Sequence, residues 1–92
     1  MSSSNNQPIN VRLLFFAKTR ELAGVNATPY QLRSRNIVVS DLLEKICTDF
    51  NLQLVRNHII LAVNERYCDN LQEVLHLEEE DEIALIPPIS GG

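Results

Sequence analysis

The chain has 92 residues, 45% of them hydrophobic and 22% charged, which suits one small domain with a single core and leaves too little chain to enclose a deep catalytic pocket as well. Its net charge of −4 argues against a nucleic-acid partner, because phosphate binding requires a basic stripe. There is no apolar run near 20 residues to span a membrane, and Cys47 and Cys68 show neither metal spacing nor a disulfide framework, so a reducing, cytosolic location is expected.

Residues 1–8 are rich in Ser, Asn and Gln, lack the apolar centre of a signal peptide, and are read as a leader ahead of the fold. Residues 9–16 alternate as a strand, with Ile9, Val11, Leu13 and Phe15 on one face and Asn10, Arg12, Leu14 and Phe16 on the other. Residues 17–22 permit a short helical turn stopped at Gly24. A weaker second strand covers residues 28–33, where Pro29 favours a sheet edge, and residues 34–38 connect it to the main helix. That helix spans residues 40–50, with Leu42, Leu43, Ile46, Cys47 and Phe50 on one face. Either Ser40 or Asp41 is its N-cap, Glu44 completes a capping box with Asp41, and Asn51 ends it.

The apolar run 59–63 is long enough for a strand and too short for a helix. Residues 64–67 turn into a further short strand. Leu71, Val74, Leu75 and Leu77 anchor an irregular or one-turn helical stretch, residues 78–82 form a charged turn, and residues 83–86 are the last strand, ended by Pro87. The first two strands pair as a hairpin, the helix crosses the sheet, and the last strand lies parallel to the first at the centre. This order predicts an α+β fold, the ubiquitin-like β-grasp, with a mixed sheet and one main helix packed on one face. The domain is expected over residues 9–86 and an extended tail over residues 87–92. The expected core is Val11, Leu13, Phe15, Leu42, Leu43, Ile46, Phe50, Leu61, Val63, Ile83 and Leu85.

Two features point beyond the core. The outward positions of the central strands, Leu14, Phe16, Ala62, Ala84 and Ile86, are also apolar, where a solvated face would alternate with polar residues. Such a patch predicts a docking surface, unless loops cover it. The second feature is the segment Pro87-Pro88-Ile89-Ser90-Gly91-Gly92. The prolines end the strand and favour extension, and the glycine pair, without Cβ atoms, passes through a narrow channel. Extended, these residues reach about 20 Å. A frayed end is the bland alternative.

No catalytic constellation accompanies them. His58 and His76 have no evident partner in sequence and suit the surface. Cys47 on the apolar helix face suits the core, and Cys68 lacks the basic surroundings of a reactive thiol. The acidic run 78–82 reads as a solvated turn rather than a metal site. The remaining reactive group is the α-carboxylate of Gly92. A carboxylate is a poor electrophile and requires activation, as in an acyl-adenylate. If sulfur then displaces the leaving group, the product is an anionic, nucleophilic thiocarboxylate.

Three stretches carry a resemblance: Leu14-Phe15-Phe16-Ala17-Lys18-Thr19-Arg20-Glu21-Leu22, Ala62-Val63-Asn64, and Asp81-Glu82-Ile83-Ala84-Leu85-Ile86-Pro87-Pro88-Ile89-Ser90-Gly91-Gly92. Over about residues 11–92 the chain resembles the small-subunit family of molybdopterin synthase, and the Pro-Pro-Ile-Ser lead-in to the glycine pair sets it apart from thiamine-pathway carriers and ubiquitin-related modifiers. The resemblance implies a β-grasp sulfur carrier that binds no cofactor itself. It implies that a ubiquitin-activating-type adenylyltransferase consumes ATP to activate Gly92 and that a sulfurtransferase forms the thiocarboxylate. It further implies a heterotetramer of two small and two large catalytic subunits, in which the tail donates sulfur to cyclic pyranopterin monophosphate to build the molybdopterin dithiolene. By the same resemblance Gly92 carries the sulfur, Gly91, Pro87 and Pro88 serve tail passage, and Phe16, Tyr67, Ile86 and Arg20 contact the partner. Glu80 departs from the pattern, which usually has glycine there, and Val38 stands where a threonine usually caps the helix. The alternatives are a ubiquitin-like protein modifier and a sulfur carrier for thiamine or tRNA thiolation.

Overall fold

The alternation in residues 9–16 produces a strand, β1 (Ile9–Phe15), whose odd-numbered side chains are all buried. The computed structural model describes residues 8–87; the expected leader, apart from Pro8, and the expected tail positions Pro88, Gly91 and Gly92 lie outside the described residues. After β1 come α1 (Lys18–Ala23), β2 (Ala27–Leu32), β3 (Asn36–Val38), α2 (Val39–Phe50), a 3₁₀ helix (Gln53–His58), β4 (Ile60–Val63), β5 (Arg66–Cys68), β6 (Val74–His76) and β7 (Glu82–Ile86).

The five-stranded sheet has the order β2-β1-β7-β4-β5, and β3 with β6 makes a separate two-stranded ladder. Strands β1 and β2 pair antiparallel, and β1 and β7 pair parallel at the centre. Pro29 lies on β2 at one sheet edge, where its missing N–H interrupts no second ladder. The long helix α2 buries Leu42, Leu43, Ile46 and Cys47 against the core formed by Val11, Leu13, Phe15, Leu61, Ile83 and Leu85. Fully burying side chains of this size contributes about 1.5–3 kcal/mol each. Phe50 and Val63 are only partly buried and pack at the core's margin, while Ile9, Leu32, Leu52, Leu75 and Leu77 join its interior.

Two expectations are corrected here. Residues 34–38 are not simply a connection, and the stretch around Val74 and Leu75 is not helical: both contribute short strands, β3 and β6, that pair antiparallel. Each has three residues, too short to carry a readable period, and each needs the other to complete its backbone hydrogen bonds. The start of α2 differs for a related reason. Neither Ser40 nor Asp41 caps it. The N-cap is Val38, which makes no side-chain cap bond. The N–H groups of Val39 and Ser40 instead donate to the carbonyls of Glu73 and Leu71, at 2.9 and 3.1 Å. Tertiary contact thus supplies what a capping side chain would. At the other end Asn51 adopts the left-handed conformation and ends the helix as expected.

The far end of α2 is clamped to the sheet by aromatic residues. The Phe50 ring lies 5.2 Å from that of Phe15 and 5.8 Å from that of Tyr30. The Tyr30 hydroxyl donates to the Asp49 carboxylate. Burial, reinforced by Asp49, pushes the Tyr30 hydroxyl well above the usual tyrosine range.

The acidic run before β7 is occupied with neighbouring amides. Asp81 accepts the Glu78 N–H at 2.8 Å and the Asn64 side-chain amide at 3.0 Å, and Glu79 accepts the Asn10 N–H at 3.1 Å. Glu80 has φ 68°, a left-handed conformation that costs a residue with a Cβ and costs glycine little. This is the physical reason a glycine suits the position. Glu80→Gly is expected to raise stability by about 0.5–1 kcal/mol, measurable as a shift in the urea midpoint.

Candidate functional site

The sheet has two faces, and α2 covers one. Across the other, register sets a row of residues on four strands: Leu14 of β1 is opposite Ala84 of β7, Ala84 is opposite Ala62 of β4, and Ala62 is opposite Tyr67 of β5. The next row places Ile86 opposite Ile60. The two alanines at the centre keep the floor low, while Phe16 and Tyr67 stand higher, 47% and 65% exposed. The result is a shallow groove of ≈ 250 Å³ lined by Leu14, Phe16, Ala62, Tyr67, Ala84 and Ile86, with Glu65 and Glu82 also in its lining. Ala62 lines the groove yet is only 2% exposed.

No loop among the described residues covers this face: Phe16, Tyr67 and Ile60 are exposed. An exposed, continuous apolar surface of this kind suits a protein contact. Its aromatic walls are of the type that supplies most of the energy in protein interfaces. Three of the four expected contact residues, Phe16, Tyr67 and Ile86, lie together in the groove. The fourth, Arg20, is exposed on α1 and is not part of the lining.

Glu65 and Glu82 were not anticipated. Glu82 is the first residue of β7 and shares the outward period with Ala84 and Ile86, a signal that was present in the sequence but masked by the acidic run before it. Glu65 reaches the site only through the tight β4–β5 turn, where Asn64 and Glu65 both have positive φ. Asn64 fixes that turn: its side-chain carbonyl accepts the Glu82 N–H at 3.0 Å, and its own N–H donates to the Glu82 carbonyl at 2.8 Å. At the outer edge, Arg66 and Glu73 form a bond of 3.1 Å that supports β5, and Glu73 holds the guanidinium more firmly protonated.

The groove has a direction. Strand β7 runs along its floor from Glu82 to Ile86, and the half-buried Pro87 follows at once. Anything seated on this face therefore meets the start of the 87–92 segment at one end and two carboxylates toward the other.

The thiols stay apart from this site. Cys47 and Cys68 are free and buried, and burial raises the Cys47 thiol above its usual range. His58 and His76 are exposed, and His76 Nδ1 lies 2.7 Å from Asn36 Oδ1, a partner supplied by the β3–β6 pairing. No helix of the described residues is long and apolar enough to cross a membrane.

A mixed sheet crossed on one face by a single long helix, with first and last strands parallel at its centre, defines a ubiquitin-like β-grasp protein. The chain belongs to the ThiS family, whose model matches residues 13–92. The molybdopterin synthase sulfur carrier subunit of Anopheles gambiae is 50% identical over 90 residues, covering 97% of this chain and 99% of the relative. The resemblance read from the stretches 14–22, 62–64 and 81–92 is thereby borne out. Among solved structures, SAMP1 from Haloferax volcanii is similar with a TM-score of 0.69 and 25% identity, over 90% of this chain and 99% of that one. Subunit 1 or 2 in a protein–protein complex of the Helicobacter pylori molybdopterin-converting factor matches with a TM-score of 0.60 and 23% identity, over 91% of this chain and 100% of that one.

Proposed function

We propose that this chain is the sulfur carrier subunit of a molybdopterin synthase. The observation that carries the reading is the apolar groove whose floor strand, β7, leads in sequence directly into the segment Pro87-Pro88-Ile89-Ser90-Gly91-Gly92. The named relatives support the role, and the Helicobacter pylori assembly of subunits 1 and 2 supports a large catalytic subunit as the partner.

In this role the domain docks by its groove and the segment from Pro87 to Gly92 enters the large subunit's pocket. Pro87 and Pro88 keep the chain extended, and Gly91 and Gly92 present no side chains to the channel. A ubiquitin-activating-type enzyme, consuming ATP, joins the Gly92 carboxylate to adenylate. A sulfur donor displaces the adenylate and leaves a thiocarboxylate. That sulfur attacks cyclic pyranopterin monophosphate, displacing an oxygen substituent and forming a thioester between carrier and pterin. Water then cleaves the acyl C–S bond, leaving the sulfur on the pterin and a carboxylate on Gly92. Two loaded carriers supply the two sulfurs of the dithiolene in a complex of two small and two large chains. Docking makes the sulfur intramolecular to its target, so the translational cost of bringing a free sulfide is met by folded surface. This chain then contributes no acid, base or bound cofactor, and the chemistry falls to the large subunit.

The test is intact mass spectrometry of the protein purified from cells that contain its activating enzyme. A fraction shifted by one sulfur-for-oxygen exchange at the C-terminal residue is the expected result. A second reading, a protein modifier, is favoured by the likeness to SAMP1, the small archaeal modifier protein 1 of Haloferax volcanii. It predicts a ladder of larger covalent conjugates, and finding these without any thiocarboxylate would overturn the carrier role.

A further inference from the structure

Thr19 is the only buried polar side chain among the described residues, with 0% of its surface exposed. It lies in α1, outside the groove, and its surroundings explain why a hydroxyl is held there. The parallel ladder between β1 and β7 advances by two residues at a time. It includes the bond from Arg12 N–H to the Asp81 carbonyl at 2.9 Å. Continued by the same step, it would bring the Phe16 N–H to the Leu85 carbonyl. That bond is replaced by a relay. The Phe16 N–H donates to Thr19 Oγ1 at 2.9 Å, and the Thr19 hydroxyl lies 2.8 Å from the Leu85 carbonyl.

The hydroxyl has one proton and two carbonyls within reach, Leu85 at 2.8 Å and Phe16 at 2.9 Å. The Phe16 carbonyl also accepts the Thr19 N–H at 3.1 Å, so donation to Leu85 is the arrangement that gives each of the two carbonyls a donor. The backbone bends to allow the insertion: Ala17 takes φ 51°, ψ −120°, a conformation that favours glycine. The strand ends at Phe15, and Phe16 leaves the ladder to stand in the groove beside Ile86.

We propose that Thr19 is a positioning residue for docking: its hydroxyl, inserted between Phe16 and Leu85, splays β1 from β7 and fixes both Phe16 and the strand end from which the 87–92 segment departs. The inference rests on the docking role proposed above. A buried polar atom contributes little net stability when paired, yet leaving its partners unpaired is costly. Without the hydroxyl, the Phe16 N–H and the Leu85 carbonyl relieve that cost by moving, and both belong to the docking end of the sheet.

The test compares Thr19→Val, which keeps the shape and removes the hydroxyl, with Thr19→Ser, which keeps the hydroxyl. Affinity for the large subunit is measured by calorimetry, corrected for folded fraction. The valine variant is expected to bind about tenfold more weakly, corresponding to one buried hydrogen bond. The serine variant is expected to bind as the parent does. A valine variant that binds like the parent after correction for folding overturns the inference, since a purely structural role moves the folded fraction and not the affinity. Should the valine variant not fold, amide hydrogen exchange of the unaltered protein decides: protection at Phe16 supports the relay, and exchange at the rate of an open loop overturns it. Failure of the parent to bind any large subunit would instead count against the docking role itself.

Discussion

Extending the chain by one residue beyond Gly92 is expected to abolish sulfur delivery while leaving docking on the large subunit intact. In the proposed mechanism the reactive atom hangs on the final carbonyl carbon. One further residue moves that carbon by about 3.3–3.6 Å along an extended chain. Reacting atoms must approach to within about 3–3.5 Å, and even a 1 Å misplacement can cost roughly a hundredfold in rate, so a whole-residue displacement removes at least that much. The added residue would also bring a Cβ where the glycine pair has none. Removing Gly91 and Gly92 fails in the opposite sense, because the carboxylate then falls short. The folded elements end at Ile86, so neither change touches the described core or groove, and the melting temperature serves as a control for folding. The measurement is molybdopterin formation by large subunit supplied with thiolated carrier, alongside the affinity of the same variants. Retained formation by the extended chain would exclude the terminal carboxylate as the working group.

The contrast between what was and was not legible follows from interaction range. The alternation of Ile9, Val11, Leu13 and Phe15, and the helical spacing of Leu42, Leu43, Ile46 and Cys47, are local patterns produced by one dominant burial surface each, and both appear as expected. The strands β3 and β6 could not be read locally, because each consists of three residues stabilised by a partner nearly forty positions away. The same long-range contact displaced the N-cap of α2. Glu73 and Leu71 supply the acceptors, so Val38 survives at a position where an isolated helix would favour a capping side chain. The groove was half legible. Outward apolar residues named its floor, but register brought Tyr67 beside Ala62 and Glu65 over the β4–β5 turn. Arg20 shows the reverse case: a residue within a recognisable stretch that the fold sets outside the groove.

Removing the aromatic wall is expected to weaken docking far more than folding. Phe16 is 47% exposed, so Phe16→Ala forfeits only about half of a full burial in the free domain, about 1–1.5 kcal/mol. In a complex seated on the groove, the same ring would lose its remaining contact with water and pack against the partner. Truncating a buried interface aromatic costs about 2–4 kcal/mol, which is roughly thirtyfold to a thousandfold in the dissociation constant. Ala84→Arg gives an independent route to the same result. Its side chain would rise from the centre of the floor, blocking the groove and forcing a cation into an apolar contact, while the core face of β7, Ile83 and Leu85, remains as it is. Arg20→Ala should change affinity little, since Arg20 is not in the lining. The three variants together separate two ways of holding the carrier. If the terminal segment alone anchored it, all three would bind alike, and a carrier lacking Gly91 and Gly92 would not bind. If the groove anchors it, Phe16→Ala and Ala84→Arg lose affinity even with the terminal glycines in place, and sulfur transfer recovers when the large subunit is raised to saturation.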